Sequence, residues 1–320
     1  MDLTSLVTAP SKSPIAILET KGASFYWASF FLGKHYTQRV ARLYRLCRHL
    51  DDMVDECDSP KISRIRILAV RQSLSSSAPR DLVIQDGLSL IKECNINKDD
   101  LSELIRGVDS DNDLVRLLNQ DELLRYCYRV AGTVGLMMCD VLDSHNPDSK
   151  NYALNLGIAM QLTNICRDIK ADALMNRIYI PANLIGPLKP SELIRPNEND
   201  QIIIKRAVEY VLALASEHYR RGELGLAYLP IRSRFAVLIA ARIYRQIGVK
   251  LARQSFEYWH KRIVVSKPEK YIITIAALVS AVFCIRFWIT PQSSPNINHP
   301  FVSPVNVQST LSLVESSNDA

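Results

Sequence analysis

Glycine is scarce in this chain, 11 of 320 residues, and neither a G-x-G-x-x-G nor a G-x-x-x-x-G-K-[ST] run occurs. Without such glycines the backbone has no ready way to cradle a pyrophosphate, so a dinucleotide fold and a P-loop are both unsupported. The seven cysteines are an odd count with no C-x-x-C pair, which argues against a zinc site or a disulfide frame and for reduced thiols. Cys47, Cys127 and Cys166 sit in apolar runs and read as small buried hydrophobes. The opening residues lack the basic start and apolar run of a signal peptide, so 1–13 read as a loose leader and the expected site of the folded part is the cytosol. A strong charge of one sign is missing too. The net +6 on a mixed-sign background is too mild to argue for nucleic acid, although it suits an anionic ligand or an anionic membrane surface. Nothing in the sequence points to an oligomer.

What remains is rich in Leu, Ile, Ala and Arg, which predicts an all-α chain long enough to bury a substantial core. Two stretches carry chemistry. In 161–172 (QLTNICRDIKAD), Gln161, Asn164, Asp168 and Asp172 step by 3, 4 and 4, placing two amides and two carboxylates on one helical stripe, with Leu162, Ile165 and Ile169 on the neighbouring side. An i,i+4 carboxylate pair with nothing between costs roughly 0.2–0.5 kcal/mol. A solvated face with Arg167 and Lys170 as partners is one reading. In 44–56, Tyr44, Arg48, Asp51 and Asp55 form a second stripe of the same kind. Two D-x-x-x-D pairs on separate helices suit hard divalent ions that bridge to phosphate oxygens. A two-carboxylate acid/base site of the glycosidase kind is the competing chemistry, but it needs one carboxyl on each side of a bond.

In chain order, 24–31 (SFYWASFF) is an aromatic cluster read as core, with Ser24 as a helix N-cap. Residues 73–80 read as a loop, and 81–91 and 99–106 as helices. The acidic run Asp109, Asp111, Asp113 reads as a solvated loop or helix start. A long helix is predicted over 121–143; Gly132 and Gly135 inside it each cost about 1 kcal/mol against Ala, which close helix packing or room for a bulky ligand would explain. Helices are predicted over 152–172, 199–226 and 231–258, with Arg177 and Tyr179 placed to close over the carboxylates.

Taken together, Ser24-Phe25-Tyr26, Tyr44…Arg48-x-x-Asp51-x-x-x-Asp55, the run 126–135 (YCYRVAGTVG), Gln161-x-x-Asn164-x-x-Arg167-Asp168-x-x-x-Asp172 and Arg177-x-Tyr179-x-Pro181 resemble the squalene and phytoene synthase family. These are head-to-head prenyl diphosphate synthases. The wording is closer to phytoene synthases than to eukaryotic squalene synthases, and one usual acidic residue is replaced by Ala171. The resemblance implies a single isoprenoid-synthase-type helical domain over 14–270 around a deep apolar cavity. It implies Mg²⁺, with Mn²⁺ as the alternative, on Asp51, Asp55, Asn164, Asp168 and Asp172. Two prenyl diphosphates would be bound by Ser24, Phe25, Arg48, Gln161, Asn164, Arg167, Arg177 and Arg262, and Tyr44, Tyr126 and Tyr179 would be catalytic. The implied product is phytoene from geranylgeranyl diphosphate; the alternatives are squalene or dehydrosqualene from farnesyl diphosphate, NADPH entering only for squalene, and a non-catalytic membrane assembly partner.

Residues 271–289 are apolar except for Arg286 and just long enough to span a bilayer, with Lys261, Arg262, Lys267 and Lys270 before them. The segment is expected to be a tail anchor or monotopic membrane contact, the alternative being that its first half is simply the last helix of the fold. Residues 290–320, rich in Ser, Pro and Asn, read as a disordered tail.

Overall fold

The computed structural model describes residues 13–57, 59–75 and 81–291. Their regular structure is helical; among them the one β pairing is an isolated bridge between Arg116 and Ile178. The expected leader, apart from Ser13, and the tail from 292 lie outside the described residues, as do 76–80 of the expected loop. Ser13 accepts from the Ala16 amide and caps α1 (Pro14–Lys21). There follow α2 (Ala23–Ser29), α3 (Lys34–Asp55), α4 (Pro60–Ser75), α5 (Leu82–Glu93) and α6 (Lys98–Asp109). A 3₁₀ turn at Ser110–Asn112 leads to α7 (Gln120–Cys127), a π-helical turn (Tyr128–Gly132) and α8 (Thr133–Val141). The long α9 (Asp148–Leu174) comes next, then short α10 (Ala182–Ile185) and α11 (Pro190–Ile194), α12 (Glu198–Glu223), α13 (Ile231–Arg253), α14 (Lys267–Phe283) and α15 (Ile285–Trp288).

Local chemistry sets many of these starts. The Asp81 carboxylate accepts from the Val83 and Ile84 amides, Asn97, Asn119 and Asn197 cap α6, α7 and α12, and Ser266 with Glu269 forms a capping box on α14. Ser24 is not a cap: α2 begins one residue earlier, with Gly22 as its N-cap, so Ser24 sits within the first turn. The helix predicted over 231–258 stops at Arg253, where Ser255 and Phe256 take positive φ and turn the chain.

Helix α9 is the central element. Ile158, Ala159, Leu162 and Cys166 are fully buried on it, packed within one apolar cluster shared with α12 and α13. A second cluster joins α3, α5, α6 and α8. The predicted helix over 121–143 is broken into α7, the π turn and α8. The wider turn admits one extra residue, and it buries Tyr128 and Gly132 while Tyr126, Val130 and Val134 face a cavity. Its glycine has a partner on the facing helix: a methyl at Gly157 would run into the Ala131 carbonyl, and one at Gly135 into the Ala153 carbonyl. Helix backbones therefore touch at Gly135 and Gly157, whereas a methyl at Gly132 would meet only side chains, at 3.3 Å or more.

The expected anchor is not one helix. Cys284 takes an extended backbone (ψ 101°) that ends α14, and α15 folds back so that the Trp288 indole donates to the Ala281 carbonyl at 2.9 Å. Arg234 donates to the Phe287 carbonyl at 2.7 Å, and Phe287 packs against Phe235. Among the described residues no helix is long and apolar enough to cross a membrane.

Gly157→Ala is expected to lower stability by about 1–3 kcal/mol through overpacking, despite a propensity gain of about 1 kcal/mol. Gly248→Ala, whose methyl would meet only the tip of Leu212 at 3.1 Å, should cost less. Urea unfolding midpoints of the two variants test this.

Candidate active site

A cavity of about 530 Å³ runs between the two apolar clusters. One side is α9, which lines it from Tyr152 through Leu156, Gln161 and Asn164 to Asp168 and Asp172. At 1.5 Å per residue that stripe is about 30 Å long. Far from the carboxylates the wall is built by Val134 and Met138 of α8 together with Leu226, Leu229 and Val237, which fits hydrocarbon and gives a sugar little to bond.

Asp51 and Asp55 of α3 line the same cavity as Asp168 and Asp172, so the two acidic stripes do face a shared space. Burial, then the neighbouring Asp55, pushes the Asp51 carboxyl up to about 7. Burial, then Asp168, pushes Asp172 up to about 8. Asp168 behaves differently: burial raises it, but hydrogen bonds from Arg167 and Arg262 outweigh that and hold it below the usual carboxylate range. The Arg262 Nε lies 2.8 Å from Asp168 Oδ1, and Arg167 reaches both carboxylate oxygens through Nε at 2.9 and 3.0 Å. Arg177 donates to Asp55 at 2.6 Å, while Arg48 pairs with Asp52 at 2.6 Å rather than with Asp51.

Of the residues singled out in the sequence, Phe25, Tyr44, Arg48, Gln161, Asn164, Arg167, Arg177, Tyr126, Tyr179 and Arg262 line this cavity with the four aspartates, and Ser24 does not. The Phe25 ring lies 6.0 Å from Tyr44 and 5.0 Å from Tyr244 of α13, a cavity-lining tyrosine that no motif had marked.

Asp111 is a correction. Its neighbours in the acidic run are on the surface as expected, Asp109 paired with Arg71 and Asp113 with Arg64. The 3₁₀ turn points Asp111 inward instead, where it accepts from the Tyr126 hydroxyl at 2.9 Å and lines the cavity. Burial raises its carboxyl to about 6 although Arg177 opposes the shift. Tyr179 stacks on Tyr126 with ring centroids 4.6 Å apart, and burial raises the hydroxyls of both. No spacing in the sequence separates Asp111 from its two solvated neighbours.

Whether the donors suit a divalent ion can be judged from unmatched atoms. Asn164 Oδ1 is buried beside the carboxylates with no hydrogen-bond partner, and burial together with a neighbouring aspartate raises both Asp51 and Asp172, a penalty that a cation between the carboxylates would relieve. Among the described residues no three His, Cys, Asp or Glu side chains form a ready-made cage. That combination fits Mg²⁺, which takes one or two carboxylates and completes its shell with water and substrate phosphate. The arrangement as a whole suits a ligand with an anionic, metal-bound head and a long apolar tail.

Comparison with known proteins agrees. The family model described as squalene/phytoene synthase matches residues 18–269. The chain is 31% identical to the 15-cis-phytoene synthase of Enterobacter agglomerans over 279 residues, 83% of this chain and 94% of that protein. It is likewise 31% identical to the 15-cis-phytoene synthase of Pantoea ananas, covering 79% and 86%. Among solved structures, a dehydrosqualene synthase in complex with ligand aligns with a TM-score of 0.74 at 25% identity, over 85% of this chain and 96% of that one.

The buried carboxyls make stability depend on pH. Their folded values of about 7 and 8 lie above the unfolded carboxylate value of about 3.9. Between those values the fold binds more protons than the unfolded chain, so this contribution is full below about pH 4, falls as pH rises, and is lost once pH has passed through the folded values of about 7 and 8. With EDTA present, the urea midpoint should fall between about pH 5.5 and 8.5, and Asp172→Asn should flatten much of that fall. A midpoint that rises over this window would contradict the assignment.

Proposed function

The chain belongs to the squalene/phytoene synthase family, and from that premise we propose that it condenses two molecules of geranylgeranyl diphosphate head to head into phytoene. The observation that carries the reading is the meeting of the two D-x-x-x-D pairs at one end of a single apolar cavity. Both diphosphate heads would lie at the carboxylates and both chains along α9.

Asp51, Asp55, Asp172 and Asn164 would hold Mg²⁺, with Asp168 joining them once its arginines are drawn elsewhere. Bound there, the ion supplies Lewis-acid stabilisation of the departing diphosphate. Arg48, Arg177 and Arg262 pair with the diphosphate oxygens, a charge-assisted contact that strengthens as negative charge collects on them. The apolar wall keeps water from the allylic cation left behind. The second substrate's double bond attacks that cation and loses a proton, giving a cyclopropylcarbinyl diphosphate. Its ionisation and rearrangement produce the 1-1′ linkage, and proton loss gives the triene. Tyr44 offers an aromatic face to the cation, and Tyr126, bonded to Asp111 and stacked on Tyr179, is the group we assign to the proton.

A squalene or dehydrosqualene synthase using farnesyl diphosphate is the second reading, favoured by the likeness to the dehydrosqualene synthase structure. NADPH would be needed only for squalene.

Incubation with Mg²⁺ and labelled geranylgeranyl or farnesyl diphosphate, with and without NADPH, should yield the hydrocarbon from the C20 substrate, identified by mass spectrometry. Asp51→Ala and Asp168→Ala should each lower its formation by about 10²-fold or more. Product from the C15 substrate alone would select the second reading. Full activity in both variants would overturn both.

A further inference from the structure

Helix α14 has two apolar sides. Thr274, Ala277 and Ala281 are buried against the body of the protein. The opposite stripe, Ile272, Ile275, Val279 and Phe283, is exposed and continues onto Ile285 and Trp288 of α15; Phe283 is 84% and Ile285 70% exposed. The spacing of 3, 4 and 4 makes it a continuous helical face rather than scattered residues. Phe30, 66% exposed, extends it: Trp27, one turn before Phe30, packs edge-on against Tyr271 with centroids 4.5 Å apart. At the other end Ile231 is exposed one turn before Phe235, which packs on Phe287 and Trp288. Soluble monomers rarely expose a contiguous apolar area of this kind without a partner for it.

Charge identifies the partner. Neither 23–50 nor 270–291 contains an Asp or Glu. Exposed Arg286 lies within the patch, Lys267 opens α14, and Lys34 follows Phe30 by four residues. Arg232 stands beside both Ile231 and Gly33, its guanidinium reaching to 2.9 Å of where a Gly33 Cβ would be. A two-fold contact with a second copy would set this cationic rim against itself. An anionic lipid surface meets the rim with opposite charge and the stripe with hydrocarbon, the pattern of a helix that lies in the interface plane.

We propose that the α14–α15 face, with Phe30 and Ile231, seats the protein on one leaflet of an anionic bilayer without crossing it. The clasp of Arg234 on the Phe287 carbonyl, at 2.7 Å, and the Trp288 bond to the Ala281 carbonyl keep α15 folded back against α14, with Trp288 and Ile289 exposed. The inference rests on this surface and not on the prenyl chemistry, and its test involves no substrate.

Flotation of the full chain with vesicles of phosphatidylcholine, alone and mixed with phosphatidylglycerol, is the experiment. Wild type should float with the mixed vesicles and less with the neutral ones, and added salt should release it. The double variant Phe283→Ser/Ile285→Ser should partition at least tenfold more weakly, and Arg286→Glu should lose the preference for anionic vesicles, with circular dichroism of both variants unchanged. Neither change touches the cavity. No vesicle binding by the full chain, whether because a second copy or residues 292–320 cover the face, would overturn the proposal, as would equal binding by the double variant.

Discussion

Like charges brought together where water is scarce are the constraint around which this protein is arranged. Asp51, Asp55, Asp111, Asp168 and Asp172 share one end of an apolar cavity, and each raises or feels the potential of the others. Left alone such a cluster would spread into solvent or take up protons. Two things keep it in place. Arginines from three separate stretches, Arg167, Arg177 and Arg262, press on individual carboxylates. The backbones that carry the acids are locked by packing that has no slack, with α9 laid directly against the π turn and α8 through Gly157 and Gly135. Rigidity at the glycine contact and repulsion at the acidic end are thus two parts of the same arrangement: the packing stores the proximity that the charges resist.

Much of this was legible from spacing alone. Period-3.6 stripes put Tyr44, Arg48, Asp51 and Asp55 on one face and Gln161, Asn164, Asp168 and Asp172 on another, and those faces are where the helices line the cavity, because an amphipathic pattern needs no tertiary information to be read. What stayed hidden depends on local geometry that breaks the period. Asp111 sits on a 3₁₀ turn, so its inward aim follows from three residues of backbone rather than from any repeat. The π turn at Tyr128–Gly132 interrupts what reads as one helix, since a single inserted residue leaves composition and hydrophobic content unchanged. Ser24 has the chemistry of a cap but is preceded by a glycine that takes the position first. The apolar run 271–289 has the length of a span, yet one extended residue at Cys284 and a hydrogen bond from Trp288 fold it back on itself.

The fold also separates tasks along a single helix. The C-terminal half of α9 carries the acids, its N-terminal half carries Tyr152 and Leu156 at the apolar end, and its far side is the main buried surface of the protein. Any change in the axial position of this helix would move head and tail sites together, and the backbone contacts at Gly135 and Gly157 oppose such a shift more stiffly than its side-chain packing does.

The double arginine grip on Asp168 has one more effect. Arg167 and Arg262 are the natural counter-charges for an incoming anion, and they are already engaged by this carboxylate. An anion that attracts them uncovers a carboxylate for a cation, and a cation on that carboxylate liberates two guanidinium groups for the anion. Occupancy by either species therefore promotes occupancy by the other, and thermodynamic reciprocity makes the two enhancements equal. The site is in this sense an internal salt held by its own counter-ions, to be exchanged for an external pair by the head of the ligand.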